Sequence, residues 1–186
     1  MGQNRKTQWY LDFVSRPRVS VEDPLTKAVQ AALDQLSTAH AVGGHDFKLV
    51  VCHDICSKSP EAMNKKVEKL IMGIADTFTA TAFPDGTILM STSQLSECYK
   101  LGQVGAILAH EMGHLVARHT AERFSHDLMA NEFAELFGSD GPMSNTLAMS
   151  RLQELEADYI GLMLMSETGF DPQDAVEYLK DQESRS

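Results

Sequence analysis

The chain has 186 residues and a formal net charge of -10 at pH 7, from 26 acidic and 16 basic side chains. Its length and its 43% hydrophobic content fit one ordinary globular domain. The acidic balance argues against a nucleic-acid partner, because phosphate recognition needs a basic surface. The sequence shows no signal peptide, and no stretch approaches the roughly 18 apolar residues of a membrane span. We predict a loosely ordered extension over residues 1–20 and a single domain over residues 21–182.

The first half of the chain shows both helical and strand patterns. Asp23-Pro24 is a typical helix start, and apolar residues then recur at helical spacing as far as Leu36. Residues 46–53 form a β-rich run, and a second helix is predicted from Ser59-Pro60. Residues 77–83 and 87–91 are predicted as two strands joined by a Pro-Asp-Gly turn.

The second half of the chain, from Gln94 onward, is predicted to be helical. One helix contains residues 104–119, a second runs over about 121–137, a third includes residues 147–165, and a short last helix begins at Asp171-Pro172. A small sheet beside several helices is an α+β architecture.

Three cysteines, Cys52, Cys56 and Cys98, form no regular disulfide framework, which favours a reducing compartment. Cys52 and Cys56 could both contact a metal ion, but one C-x-x-x-C pair without a second pair is a weak signal. We interpret all three as ordinary thiols.

The helix over residues 104–119 contains the sequence His-Glu-Met-Gly-His. His110 and His114 are four residues apart, so one helix face can direct both imidazoles to one point. Two neutral imidazoles suit zinc, and Glu111 is turned about 100° around the helix, where it would reach an attacking water. Apolar residues on both sides indicate a buried helix, in which an unpartnered imidazole is costly. The alternative is a chance match on a surface helix.

A catalytic zinc ion needs a third protein ligand. Ala117 and Thr120 stand where the metzincin pattern requires glycine and histidine, which excludes that class. His119 and His126 lie further along the chain, and His119 is five residues after His114. We expect both His119 and His126 to face solvent rather than the metal.

Glu154 and Asp158 are four residues apart in an otherwise apolar helix, where a carboxylate is rarely buried unless it is paired or bound to a metal. We predict Glu154 as the third ligand. Asp158 would then accept a hydrogen bond from a ligand imidazole and fix its tautomer. Glu156 lies on another face and is expected in solvent. An exposed acidic stripe is the alternative interpretation.

The two stretches 106–123 and 154–172 together resemble the zinc peptidases of family M48, which include HtpX, the CAAX prenyl protease and the compact Oma and BepA types. The resemblance extends over about residues 20–180 and is greatest to the Oma and BepA types. It implies a zincin-like (gluzincin) metalloprotease fold and one zinc ion per chain. By position, His110, His114 and Glu154 match the zinc ligands, Glu111 the general base and Asp158 the orienting acid.

The resemblance also implies a substrate: extended or misfolded polypeptides, cleaved internally as part of protein quality control. Family members have a segment ahead of an edge strand that binds substrate, and residues 79–90 look like its counterpart. A polypeptide would then pair with the strand at Ile88, Leu89 and Met90. The alternative is a strand pair that serves only the core.

Two expectations concern cellular context and activity. The relatives act at membranes, which implies membrane-protein substrates or membrane association, and an Oma-like protein would be in the mitochondrial inner membrane; these residues contain no anchor.

Family members usually continue to a segment with a His-Pro pair and an arginine, which this sequence does not show. The alternative function is therefore a zinc-bound, catalytically weak module that binds polypeptides. A purely structural zinc site fits poorly, because three ligands leave one position open.

Overall fold

A computed structural model describes residues 18–53, 80–123, 125 and 146–185. In chain order, its elements are α1 (Pro24–Leu36), a 3-10 turn (His40–Val42), β1 (Lys48–Cys52), β2 (Ala80–Ala82), β3 (Thr87–Ser91), α2 (Thr92–Ser96), α3 (Leu101–Val116), α4 (Thr146–Thr168) and α5 (Gln173–Arg185). The described part is a three-stranded sheet beside several helices, so the predicted α+β architecture is confirmed.

Helix α1 begins where the Asp23-Pro24 pattern predicts. Oδ1 of Asp23 accepts a hydrogen bond from the N–H of Leu25 at 2.8 Å, and Pro24 takes the first helical position, where no internal hydrogen bond is lost. One face of the helix is buried in the core through Val29, Ala32, Leu33 and Leu36. Leu25 does not join them and is 42% exposed.

The sheet has the strand order β1-β3-β2. β1 pairs with β3 in parallel, and β2 pairs with β3 in antiparallel fashion through the predicted turn. Gly86 in this turn has a φ of +85°, and a Cβ there would lie 2.2 Å from the backbone oxygen of Asp46, so the position requires glycine. The predicted pair of linked strands is confirmed over residues 80–91.

The central position of β3 contradicts the prediction that Ile88, Leu89 and Met90 belong to an edge strand. Both sides of β3 pair with other strands, and these three side chains are between 0% and 4% exposed. Consecutive apolar residues of this kind are typical of a strand covered on both faces. The strand of this hairpin with an edge not paired to another described strand is β2, which contacts α3.

Helices α3 and α4 approach each other closely through small residues. A Cβ added to Gly113 of α3 would lie 2.6 Å from the backbone oxygen of Ala157 in α4. A Cβ added to Gly161 would lie 3.1 Å from the carbonyl carbon of Ala109 and from the nitrogen of His110. Because these positions have little or no side chain, the two backbones can pack together and bring functional side chains within reach of each other.

Helix α5 packs on the first turns of α3, away from the histidine pair. The ring of Phe170, just ahead of α5, lies against Gly105. The ammonium group of Lys100 contacts Asp174 at 3.3 Å and Glu177 at 2.5 Å. These contacts hold the C-terminal helix to the start of α3.

Several predictions lie outside the described residues: the helix from Ser59-Pro60, Cys56, His126 and most of the helix over 121–137. Cys52 is buried, with its Sγ 3.6 Å from the carbonyl oxygen of Met90, and Cys98 is partly buried. Arg18 bridges to Cys52 and the N–H of Val19 donates to Val51, so the end of the predicted loose extension already belongs to the fold. In the described parts of the chain, no helix is long and apolar enough to cross a membrane.

Candidate metal centre

The three side chains predicted as zinc ligands come together between α3 and α4. Nε2 of His110 lies 3.1 Å from Nε2 of His114, and Oε2 of Glu154 lies 3.3 Å from each nitrogen. The two histidines are one turn apart on α3, as their spacing predicts, whereas Glu154 comes from α4. Three potential ligand atoms therefore form a nearly equilateral triangle.

This donor set fits a zinc ion. Tetrahedral zinc, with bonds of about 2.0–2.2 Å to nitrogen and oxygen, keeps its ligand atoms roughly 3.3 Å apart. The three observed separations are close to that value. Two imidazoles and one carboxylate are also a ligand set of catalytic zinc, which leaves one position for water. Among the described residues, no other group of three or more His, Cys, Asp or Glu side chains converges in this way.

Asp158 lies one turn after Glu154 on α4 and contacts the far side of the His110 ring. Its Oδ1 is 2.8 Å from Nδ1 of His110. A carboxylate at this place accepts the Nδ1–H hydrogen bond and leaves Nε2 without a proton, which is the state that can bind a metal. The structure therefore places Asp158 where the sequence predicted an orienting acid.

The apolar surroundings predicted for these carboxylates are not observed. The side chains of Glu154 and Asp158 are 45% and 50% exposed. Leu152 and Leu155 of α4 are themselves 66% and 64% exposed. The reason is that α4 packs against α3 through small residues such as Ala157, so its leucines do not surround the carboxylates.

Arg123 contacts the second oxygen of Glu154. Its Nη2 donates to Oε1 at 2.9 Å, which leaves Oε2 to face the two histidines. Partial burial raises the pKa of Glu154, but the neighbouring His114 and the hydrogen bond from Arg123 outweigh it and hold the pKa below its usual value. Glu154 is thus ionised at neutral pH, as a metal ligand must be.

Glu111 lies beside the two histidines and reaches toward the sheet. Its carboxylate accepts a hydrogen bond from the backbone N–H of Ala82 in β2. Burial raises the pKa of Glu111 to about 7, although the nearby His110 and the Ala82 hydrogen bond both lower it. A carboxyl group with a pKa near neutrality can both accept and release a proton at pH 7.

His114 is the more buried of the two histidines, with its side chain 6% exposed against 29% for His110. Burial, together with the nearby His110, lowers the pKa of His114 to about 4. The ring is therefore neutral at pH 7, which is the form that binds a metal. Its second nitrogen, Nδ1, lies 3.1 Å from Nδ1 of His119.

The position of His119 contradicts the prediction that it faces solvent. His119 is 3% exposed, and its Nε2 lies 3.2 Å from Oε2 of Glu156. The prediction extended helical periodicity beyond the real end of α3 at Val116. Arg118 adopts a φ of +61°, which turns the chain and places His119 beside His114. Glu156 is mainly exposed, as predicted.

Residues 53–184 match the sequence profile of Peptidase family M48. The chain belongs to this family. The matched region contains every residue of the metal centre described above. Family M48 consists of metallopeptidases, so the match and the geometry of the ligands agree on the presence of a metal site.

Several curated proteins of family M48 are similar to part of this chain. Mitochondrial metalloendopeptidase OMA1 of Arabidopsis thaliana is 34% identical over 102 residues, which are 50% of this chain and 21% of that protein. Its Saccharomyces cerevisiae namesake is 35% identical over 108 residues, 52% of this chain and 31% of that protein. The Beta-barrel assembly-enhancing protease of Escherichia coli is 24% identical over 126 residues, which are 56% of this chain and 26% of that protein. The chain thus spans less than a third of these relatives, and the predicted Oma and BepA resemblance is confirmed.

Three contacts of this M48 site were not predicted from the sequence: Arg123 to Glu154, the Ala82 N–H to Glu111, and His119 to His114. The turn at Arg118 has no glycine or asparagine, the residues that usually mark a left-handed position after a helix. No local pattern in the sequence therefore indicated that His119 and Arg123 would return to the site.

Proposed function

We propose that this chain is a zinc-dependent metalloendopeptidase with the zincin-like (gluzincin) fold and one zinc ion per chain. The observation that carries the proposal is the convergence of His110, His114 and Glu154 beside Glu111. A structural zinc site is normally closed by four protein ligands, whereas three converge among the described residues. A site that only binds polypeptides would have no use for a base with a near-neutral pKa.

In this proposal, His110, His114 and Glu154 hold the zinc ion, which supplies Lewis-acid activation of water and of the scissile carbonyl. Asp158 keeps His110 in the tautomer that can act as a ligand. Glu111 accepts a proton from the attacking water and later delivers it to the leaving amine. Its raised pKa allows both transfers near pH 7.

We place the substrate along β2 and not along β3. The N–H of Phe83 donates to the carbonyl of Thr87, so in this antiparallel pair the backbone groups of the preceding residue, Ala82, point away from β3. The hydrogen bond from Ala82 to Glu111 has that direction. An extended polypeptide that pairs with this edge would pass next to Glu111 and the ligands. Ile88–Met90 would then support β2 without touching substrate.

The biological setting is proposed from the relatives. The two proteins named OMA1 are mitochondrial by name, and the Escherichia coli protein is named for assembly of β-barrels. We propose a role in quality control of extended or misfolded polypeptides, with membrane proteins among the substrates and the mitochondrial inner membrane as the location to test first. We also propose that residues 21–182 form the single metallopeptidase domain.

The decisive experiment is cleavage of casein by the zinc-loaded chain beside its Glu111→Gln variant. Glutamine keeps the size of the side chain but cannot take up a proton, so we expect the variant to retain zinc and to lose at least about a hundredfold in rate. A chelator should stop cleavage by the parent, and added zinc should restore it.

Two other outcomes would contradict the proposal in different ways. Absence of bound zinc in the parent would refute the metal centre. One bound zinc with no cleavage by either protein would refute the peptidase and would favour the alternative, a zinc-bound module that holds polypeptides.

A further inference from the structure

His119 and Glu156 form a chain of contacts behind His114. Nδ1 of His119 lies 3.1 Å from Nδ1 of His114, and Nε2 of His119 lies 3.2 Å from Oε2 of Glu156. The His119 side chain is 4% exposed, whereas that of Glu156 is 61% exposed. This series of contacts thus runs from a potential metal ligand, through a buried imidazole, to a carboxylate at the surface.

We propose that His119 is a positioning residue for His114, and that it fixes the ligand tautomer of this ring through a hydrogen-bond chain that ends on Glu156. The inference rests on the proposed metal centre and goes beyond it, because it assigns a role to a residue that is neither a ligand nor the base.

The tautomers follow from which atoms face each other. Nε2 of His114 faces Nε2 of His110 and the carboxylate of Glu154, so it must be unprotonated to serve as a ligand. The proton of a neutral His114 ring is then on Nδ1, which donates to Nδ1 of His119. A neutral His119 carries its own proton on Nε2 and donates it to Glu156. Every nitrogen in this chain has a suitable partner.

The opposite tautomers would prevent His114 from binding a metal. If His119 carried its proton on Nδ1 and donated it to His114, a neutral His114 would carry a proton on Nε2 and could not bind a metal. Nε2 of His119 would also be unprotonated and would face the carboxylate of Glu156 as a second acceptor. Glu156 therefore favours the arrangement in which His114 is ready to bind.

The two ligand histidines thus have different partners. His110 is held directly by the carboxylate of Asp158, which is half exposed. His114 lies deeper, and no described carboxylate contacts its Nδ1; a buried imidazole connects it to a carboxylate at the surface. In this way the turn at Arg118 provides the outer contact of the more buried ligand.

A buried histidine can also serve only to fill space, and two variants separate the two roles. His119→Phe keeps an aromatic ring but offers no acceptor to His114. His119→Asn is smaller, but its amide oxygen lies about where Nδ1 was and can accept the hydrogen bond. A hydrogen-bonding role predicts that Asn preserves zinc binding better than Phe, and a space-filling role predicts the reverse order.

We would measure zinc affinity of the full chain by competition with a chromophoric chelator, and follow cobalt binding by its visible absorption. Removal of an outer partner of a ligand typically weakens metal binding 10- to 100-fold, and we expect that loss for His119→Phe and a clearly smaller loss for His119→Asn. His40→Phe is the control, because His40 also pairs with a glutamate, but that glutamate, Glu167, lies near the C-terminal end of α4, away from the metal centre. It should bind zinc as the parent does.

Nitrogen NMR of the histidine rings in the zinc-loaded parent gives a second test that needs no variant. We expect His119 to be protonated on Nε2 and unprotonated on Nδ1. The reverse assignment, or zinc affinity of His119→Phe equal to or above that of His119→Asn, would overturn the inference. A parent that binds no zinc would instead refute the metal centre itself, and this inference with it.

Discussion

Glu167 and Glu154 of helix α4 both contact histidine, and the two contacts differ in kind. Near its C-terminal end, Glu167 accepts a hydrogen bond from the backbone N–H of His40 at 2.9 Å and also contacts the His40 ring. The His40 side chain is 99% exposed. At the metal centre, Glu154 meets two imidazoles, and one of them, His114, is 6% exposed. The first contact is a surface pair, and the second is a convergence of three proposed ligands.

A metal centre differs from a surface pair in the number of polar atoms that face one another away from water. Glu167 and His40 need only each other, and water can satisfy their remaining atoms. At the metal centre, two ring nitrogens and a carboxylate oxygen face one another, and the His114 ring is buried. Such a group of acceptors is unfavourable unless a cation lies among them. Proximity of histidine to carboxylate is therefore a weaker sign of a metal than the convergence of three potential ligand atoms.

The largest effect should come from removing one ligand. We expect zinc to raise the unfolding temperature of the parent and of His40→Ala, but not that of His114→Ala. Zinc at a thousandfold excess over its Kd would stabilise the folded state by about 4 kcal/mol. Thermal unfolding with and without zinc measures this difference. Equal stabilisation of His114→Ala and the parent would show that zinc binds elsewhere.

A second variant alters the metal centre without touching a ligand. Gly113→Ala places a Cβ 2.6 Å from the backbone oxygen of Ala157, so α3 and α4 must separate. We expect unfolding free energy to fall by about 1–3 kcal/mol, as for other overpacked sites, and zinc affinity to fall with it. Chemical denaturation and chelator competition are the measurements.

The control for that variant is Gly105→Ala on the same helix. Its new Cβ would meet the Phe170 ring at 3.0 Å, and a side chain can move where a backbone cannot. Both variants gain the same helix propensity over glycine. Zinc affinity should therefore stay at the parent value in Gly105→Ala. Equal losses in both variants would contradict the role assigned to the close contact of α3 with α4.

The smallest effect should come from the surface pair. The backbone hydrogen bond from His40, with its ring contact, lowers the pKa of Glu167 below the ordinary value of 4.5. A lowered pKa means that the ionised group stabilises the fold above pH 4.5 and that this stabilisation is lost as the pH falls. Glu167→Gln should lower the unfolding temperature slightly at pH 7, with a difference that disappears in acid and with unchanged zinc affinity. A difference that persists at low pH would contradict this account.

The local elements of the fold were largely predictable. Asp23-Pro24 marks the start of α1, the Pro84–Gly86 turn marks the hairpin, and the four-residue spacing of His110 and His114 places both rings on one face. These features depend on backbone geometry over a few neighbouring residues, which the sequence specifies directly. The pairing of strands was not predictable in this way, because Ile88–Met90 are apolar whether their strand is central or at an edge.

Local sequence patterns were enough to predict the types of the proposed ligands, the helix that carries two of them and the carboxylates four residues apart on a second helix. Three features became visible only in the folded chain: Glu154 meets the histidines at 3.3 Å, β2 and not β3 lies next to Glu111, and His119 returns to His114. Periodicity describes one element at a time. The approach of α3 to α4 at Gly113, and the left-handed turn at Arg118, arise from contacts between elements, and local spacing does not encode them.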